Sequence, residues 1–154
     1  MLELTVSDLS LPAVNLPVSS FINEEAKKLP DVKSIDCIDP VEKATDKLSA
    51  ITWRTRDRER GTVNDDPDIV RHIHDLAILS DRVMDYPEFS TMVRSAVDRD
   101  DKRSETITGL TLTQKLTKMI GILGSDSEYS TEYERFVNGM SYAPNGSNRL
   151  SKKH

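Results

Sequence analysis

The sequence predicts a mainly α-helical protein, a bundle of about five helices preceded by a short α/β lead-in that carries one or two strands. Two observations predict this fold. From Val41 onward, apolar residues recur at the spacing of three and four residues that is typical of amphipathic helices. Before Val41, two short segments alternate apolar and polar residues, which favours strands. The chain has 154 residues, which is enough for one domain with a buried core.

The lead-in, residues 1–39, contains both strand-like segments. Residues 2–6 and 32–38 alternate in polarity, residues 8–17 break the pattern with two prolines, and a short helix is predicted within residues 18–29. A two-stranded sheet is only marginally stable by itself. The lead-in therefore resembles the end of a larger sheet, and its apolar side is expected to be exposed or to be covered in a homodimer.

The part from residue 40 to residue 142 divides into five helical segments. They are predicted at 41–59, at 67–84, from Pro87 through Val97, from Leu112 to Leu123, and from Tyr129 to Met140. A charged loop is expected at 98–109, and residues 143–154 are expected to form a flexible tail.

Helix-end signals accompany these segments. Asp66 is expected to cap the helix that Pro67 begins. Gly124 is expected to end the fourth helix. Ser125 and Glu128 have the spacing of a capping box for the last helix.

Composition excludes several classes of protein. The net charge of −5 means that the surface as a whole does not attract nucleic acid or anionic membranes, so a basic site must be local. Cys37 is the single cysteine, which excludes an internal disulfide and a cysteine-rich zinc site. The N-terminus lacks the pattern of a signal peptide, and no apolar stretch reaches membrane-spanning length. A cytoplasmic protein without membrane contact is expected.

Basic residues are concentrated on one stripe of the first long helix. At 100° per residue, the stripe of Lys43, Lys47, Arg54 and Arg58 spans roughly 60° and lies beside the apolar face. Like charges on one helix face repel each other by a few tenths of a kcal/mol per pair, so an anion would relieve the stripe.

Two explanations of this basic stripe stay open. It is either a surface for phosphates, or a solvated edge that pairs with carboxylates from a neighbouring segment. The nearest candidates for such pairing are Asp65, Asp66 and Asp75.

The segment RHIHDL, residues 71–76, is the second polar cluster. Arg71 and Asp75 lie one turn apart on one face, so an intrahelical ion pair is one expectation. His72 and His74 diverge on a helix, whereas a helical metal site uses histidines four residues apart. No metal site is therefore predicted.

Together, the two segments resemble a known family. DPVEKATDKLSAITWR followed by DDPDIVRHIHDLAIL is similar to the C-terminal half of AbiEii/AbiGii-type nucleotidyltransferase toxins, which carry P-x-E-x-x-x-x-K-L-x-A and then R-x-x-x-D-L. EYERFVNGMSYA resembles the terminal helix of one bacterial branch, and the resemblance covers about residues 33–143. The matching positions are Pro40, Glu42, Lys47, Leu48 and Ala50, and then Arg71, Asp75 and Leu76.

The resemblance implies a polymerase-beta-like nucleotidyltransferase of toxin–antitoxin or phage-defence systems. Such proteins transfer a nucleotide from an NTP, with Mg²⁺, to an acceptor that is the tRNA 3′ end in some members. A cognate antitoxin is an implied partner. Lys47 and Asp75 are the implied catalytic residues, with Arg71 supporting Asp75. The residues expected to bind the nucleotide or its phosphates are Lys43, Lys47, Arg54, Arg58 and Arg71.

One defining motif of the family is missing before Lys47: a Gly-Ser or Gly-Gly turn followed about ten residues later by Asp-x-Asp, whose carboxylates hold the metal. The acidic stretches at 98–101 and 124–128 come in the wrong order. Residues 1–39 are therefore expected to be the remnant of a sheet lobe and 40–142 the helical lobe, inactive alone and without metal ligands. The alternatives are a helical module that binds an anion, RNA, a nucleotide or an antitoxin without catalysis, and a structural domain without a ligand.

Overall fold

The computed structural model describes residues 8–63, 65–102 and 109–140, and within them the chain forms six α-helices, one short 3-10 helix and one two-stranded sheet. Five of the helices lie in the predicted helical part, so the mainly α-helical fold class is confirmed. In chain order, the elements are β1 (Val14–Val18), α1 (Phe21–Glu25), β2 (Val32–Cys37), α2 (Pro40–Asp57), the 3-10 helix (Pro67–Ile69), α3 (Val70–Val83), α4 (Phe89–Asp101), α5 (Leu112–Ser125) and α6 (Ser127–Met140).

The sheet is an antiparallel ribbon of β1 and β2, with α1 between them. The strand predicted at 32–38 is confirmed as β2, whereas β1 lies in the stretch that was expected to break the pattern. Pro17 sits at the irregularity in register between Leu16 and Val18, and proline is tolerated there because β1 is an edge strand. The strand predicted at 2–6 and the tail predicted at 143–154 lie outside the described residues.

One face of the ribbon is apolar and about half-exposed, and no other element of the described part of the chain forms a layer over it. Directly opposite residues share a face in an antiparallel pair, so Leu16 and its partner Ile35 point to the same side, as Val14 and Cys37 do. Between 44% and 47% of the surface of Leu16, Val18, Val32 and Ile35 is exposed. This exposure is what the sequence predicts for a ribbon that lacks a covering layer, and the homodimer stays a prediction.

The segment before β1 is anchored to α2 by a family-motif glutamate. The buried carboxylate of Glu42 accepts hydrogen bonds from the backbone N–H groups of Ser10 (2.7 Å) and Leu11 (3.1 Å). The side chain of Leu11 packs against the small core cluster of Val41, Ala44 and Val83. These contacts attach the lead-in to the start of the helical part.

Helix α2 is the central element of the bundle, because α3, α4 and α5 all pack against it. The Asp39 carboxylate accepts a hydrogen bond from the Val41 N–H at 2.7 Å, and Pro40 occupies the first turn, so the start of α2 is well capped. The main core cluster joins α2 to the 3-10 helix, α3, α5 and α6. It consists of Ile51, Ile69, Val70, Met119 and Tyr129.

Several predicted helix ends are wrong. Asp66 precedes Pro67 at the predicted helix start, but its carboxylate binds Arg54 and makes no capping bond. Residues 98–101 belong to α4 and not to a charged loop. Helix α5 does not end at Gly124 but continues to Ser125. The φ angle of Gly124 is not positive, so this glycine does not adopt the left-handed conformation of a helix C-cap. The last helix is capped by Asp126, whose carboxylate accepts the Glu128 N–H at 2.9 Å, and not by a box that Ser125 begins.

Candidate functional site between α2 and α3

Lys47 and Asp75 are brought together where α2 packs on α3. The Lys47 ammonium contacts the Asp75 carboxylate across the helix pair as a hydrogen-bonded ion pair. The Lys47 side chain is 16% exposed, and that of Asp75 is 39% exposed. Asp75, one of the three candidate partners of the basic stripe, is therefore paired with Lys47, while the catalytic roles of both residues stay predictions.

Arg54 extends the site along α2. It lies seven residues after Lys47, which is two helical turns and about 10 Å along the axis. Its guanidinium donates to the Asp66 carboxylate at 2.8 Å and lies over the Trp53 ring, 5.3 Å from the ring centroid. Arg54 and Asp66 also line an open groove of about 410 Å³. The full set of lining residues is Trp53, Arg54, Asp57, Arg58, Val63, Asp65, Asp66 and Ile69.

His72 belongs to the same site, although sequence reasoning missed it. It lies three residues before Asp75 on α3, so the two side chains share a face of the helix. Burial lowers the pKa of His72, the nearby charges of Lys47 and Arg54 lower it further, and Asp66 opposes them. The spacing of three residues between His72 and Asp75 is the sequence feature that could have identified His72. We call Lys47, Arg54, Asp66, His72 and Asp75 the α2–α3 site.

Arg58, predicted to bind phosphate, is instead engaged by carboxylates of the protein. Its side chain is 3% exposed, and it donates to Asp65 at 2.7 Å and to both oxygens of Glu132 at 2.8 and 2.7 Å. The hydrogen bonds that Arg58 donates to Glu132 raise the pKa of the Arg58 guanidinium, although burial lowers it. Arg60 donates to Asp126 and Glu132, both at 2.7 Å. These five residues form what we call the α6 network, which fixes the end of α2 to α6.

The remaining predicted cations lie away from these contacts. Arg71 is exposed and contacts Asp68, with a guanidinium-to-carboxylate distance of 3.7 Å, so the expected intrahelical pair with Asp75 is not formed. Lys43 is exposed, and no carboxylate among the described residues lies within ion-pair distance of it. Of the two explanations of the basic stripe, the contacts match the second, since Asp75, Asp66 and Asp65 each pair with one of its cations.

The acidic run at 98–101 is also used within the protein. Asp100 accepts a hydrogen bond from the Ser49 hydroxyl at 2.6 Å. Asp101 forms ion pairs with Lys115 and, at 3.8 Å, with Arg56. Within the described ranges, no group of three or more His, Cys, Asp or Glu side chains could hold a metal ion. The described residues therefore do not fit the Mg²⁺ that the resemblance implies.

Comparison with known proteins extends the resemblance over nearly the whole chain. The family model described as "AbiEii: Nucleotidyl transferase AbiEii toxin, Type IV TA system" matches residues 1–147, so the similarity is not confined to residues 33–143. The match includes the lead-in and both helices of the α2–α3 site. No curated protein and no solved structure matches the chain. Every helix in the described part is too short or too polar to cross a membrane.

Proposed function

The chain belongs to the AbiEii nucleotidyl transferase toxin family of type IV toxin–antitoxin systems, and from this premise we propose that the α2–α3 site binds the triphosphate of a nucleotide substrate. The family also implies a cognate antitoxin as a partner. The tRNA 3′ end as acceptor and NTP as substrate are proposals that rest on the family resemblance.

The observation that carries the proposal is the pairing of Lys47 with Asp75. An ammonium that is 16% exposed interacts with an anion more strongly than one in open water, because the local dielectric constant is lower. Asp75 is more exposed than Lys47 and can be replaced as the partner by a phosphate oxygen. Arg54 supplies a second cation on the same stripe, two helical turns after Lys47.

These cations suit the charge that develops in nucleotidyl transfer. An acceptor hydroxyl oxygen bonds to the α-phosphorus and releases its proton to water, the bond from that phosphorus to the β-phosphate oxygen breaks, and pyrophosphate leaves. Lys47 and Arg54 bind the departing diphosphate and neutralise its charge, which is the main protein contribution in reactions of this type. Asp75 positions the Lys47 ammonium until the nucleotide arrives.

The uncovered ribbon face supports the proposal that the lead-in belongs to a sheet lobe. Four apolar side chains of β1 and β2 stand half-exposed on one face. Such a face is stabilised by a further layer of sheet or helix, or by a second copy of the chain.

The alternative function, an anion-binding or antitoxin-binding helical module without catalysis, uses the same α2–α3 site.

Replacing Lys47 with alanine is expected to weaken binding of an NTP about tenfold or more, because a charge-assisted hydrogen bond in a partly buried site is lost. Trp53 is the single tryptophan and contacts Arg54, so its fluorescence reports binding. Lys118→Ala, an exposed lysine on α5, is the matched control. If the wild-type protein binds none of the four NTPs, or if both variants bind equally well, the proposed function is wrong.

The 154-residue chain by itself is expected to transfer no nucleotide, because no Asp-x-Asp follows a Gly-Ser turn before Lys47. The measurement is incubation with labelled NTPs, Mg²⁺ and total tRNA, followed by separation of labelled RNA. Robust labelling that disappears in Lys47→Ala would contradict the inactivity while supporting the role of Lys47.

A further inference from the structure

Two buried nitrogen atoms of the α2–α3 site have no hydrogen-bond partner within the part of the chain that the structure describes. They are His72 Nδ1 and Arg54 Nε. Leaving a buried polar group unpaired costs about 1–3 kcal/mol, and native proteins tolerate few such groups. A ligand that accepts a hydrogen bond from both nitrogens would supply the missing partner.

The charges around His72 favour an anionic ligand. Lys47 and Arg54 face the imidazole from α2, Asp66 faces it from the turn before the 3-10 helix, and Arg71 is its neighbour on α3. Lys47 and Arg54 outweigh Asp66 in their effect on the imidazole, although each of the three cations also has a carboxylate partner: Lys47 has Asp75, Arg54 has Asp66 and Arg71 has Asp68. Asp75, on the same face of α3, is occupied by Lys47.

We infer that His72 is a binding residue of this site, whose Nδ1 donates a hydrogen bond to a phosphate oxygen of the bound triphosphate beside Arg54 Nε. The inference rests on the proposed function, since it concerns the same site. It adds a residue that occupies a variable position of the second motif, between Arg71 and Asp75, and gives both unpaired nitrogens one partner.

This role predicts a link between binding and protonation. In the free protein, burial and the neighbouring cations lower the pKa of His72, so the imidazole is neutral near pH 7. A bound polyanion offsets those cations and accepts a hydrogen bond from the imidazolium, which raises the pKa. Binding therefore takes up a proton, and affinity rises as pH falls. A histidine that only fills space would show no such uptake.

The test is calorimetric titration with inorganic tripolyphosphate, which is independent of the base, in two buffers of different ionisation enthalpy. We expect His72→Gln to take up fewer protons than the wild type and to bind about tenfold more weakly near pH 6 than the wild type. Protonation of the tripolyphosphate contributes equally to both proteins. His72→Asn keeps a donor near the Nδ1 position but cannot titrate, so it should recover affinity near pH 8 without the rise at low pH.

His74→Gln is the matched control, because its Nδ1 lies 3.3 Å from the Tyr133 hydroxyl, away from α2. Equal affinity and equal proton uptake in His72→Gln and the wild type, with Lys47→Ala still weakened, would overturn the role of His72 alone. Absence of any binding by the wild type would contradict the proposed function and this inference together.

Discussion

Replacing Glu132 with alanine is expected to lower the free energy of unfolding by about 3 kcal/mol. Glu132 is 13% exposed and accepts hydrogen bonds from the guanidinium groups of Arg58 and Arg60. Removing one partner of a buried ion pair costs about 3–5 kcal/mol, because the other charge stays buried without compensation. Asp65 and Asp126 still contact one guanidinium each, which places the expected loss at the lower end of this range.

The same substitution should remove an acid-sensitive part of the stability. Burial alone would raise the pKa of Glu132, but hydrogen bonds from Arg58 and Arg60 outweigh it and lower the pKa. The stabilisation by Glu132 is therefore complete above the ordinary carboxyl pKa of 4.5 and is lost as pH falls through the lower value of the folded state. Wild type and variant should thus differ at pH 7 and converge in acid.

Urea unfolding followed by helical circular dichroism measures both effects. Glu134→Ala, an exposed glutamate of the same helix, is the matched control and should change stability by less than about 0.5 kcal/mol. Equal losses in Glu132→Ala and Glu134→Ala would show that the α6 network contributes little. Salt should reduce the difference only weakly, because buried pairs are screened less than surface pairs.

The helices of the bundle were predictable because their signal is local. Each segment has apolar residues at helical spacing, and packing of these residues on one core stabilises the helices. Asp75 was among the carboxylates expected to pair with the basic stripe, and the family resemblance implies that Lys47 and Asp75 share a site; the two residues are paired. The sequence could not show which cations remain available for a ligand. Arg54 and Arg58 share one stripe, yet Arg58 alone is enclosed by a helix that is distant in the chain.

The errors arise where tertiary contacts override local preference. Asp66 is a good capping residue, but an arginine on the preceding helix binds its carboxylate. Pro17 argues against a strand unless the strand lies at an edge, and the edge position is a property of the folded sheet. His72 was not identified as a site residue because the charges that act on it include Lys47 and Arg54 of α2. The spacing of residues 71–76 carries no information about which residues of α2 pack nearby.

The acidic end of α4 is the clearest case of such an override, and it leads to the second large effect. Lys115 is 8% exposed, and its ammonium pairs with Asp101. Asp101→Ala leaves that ammonium buried without a carboxylate among the described residues, so the free energy of unfolding should fall by about 3 kcal/mol. Replacing Lys115 with methionine in the same protein removes the buried charge and should recover most of the loss.

The effect of Mg²⁺ on the melting temperatures of the wild type and Asp101→Ala distinguishes a structural carboxylate from a metal ligand. If Asp101 held a metal, Mg²⁺ would stabilise the wild type in proportion to its binding, and Asp101→Ala would abolish that stabilisation. We expect no Mg²⁺-dependent change in melting temperature in either protein, because Asp100 is bound by Ser49 and Asp101 by Lys115 and Arg56. A rise of several degrees with Mg²⁺ in the wild type alone would assign a metal site to residues 98–101 after all. In its absence, the two acids act as the attachment of α4 to α2 and α5.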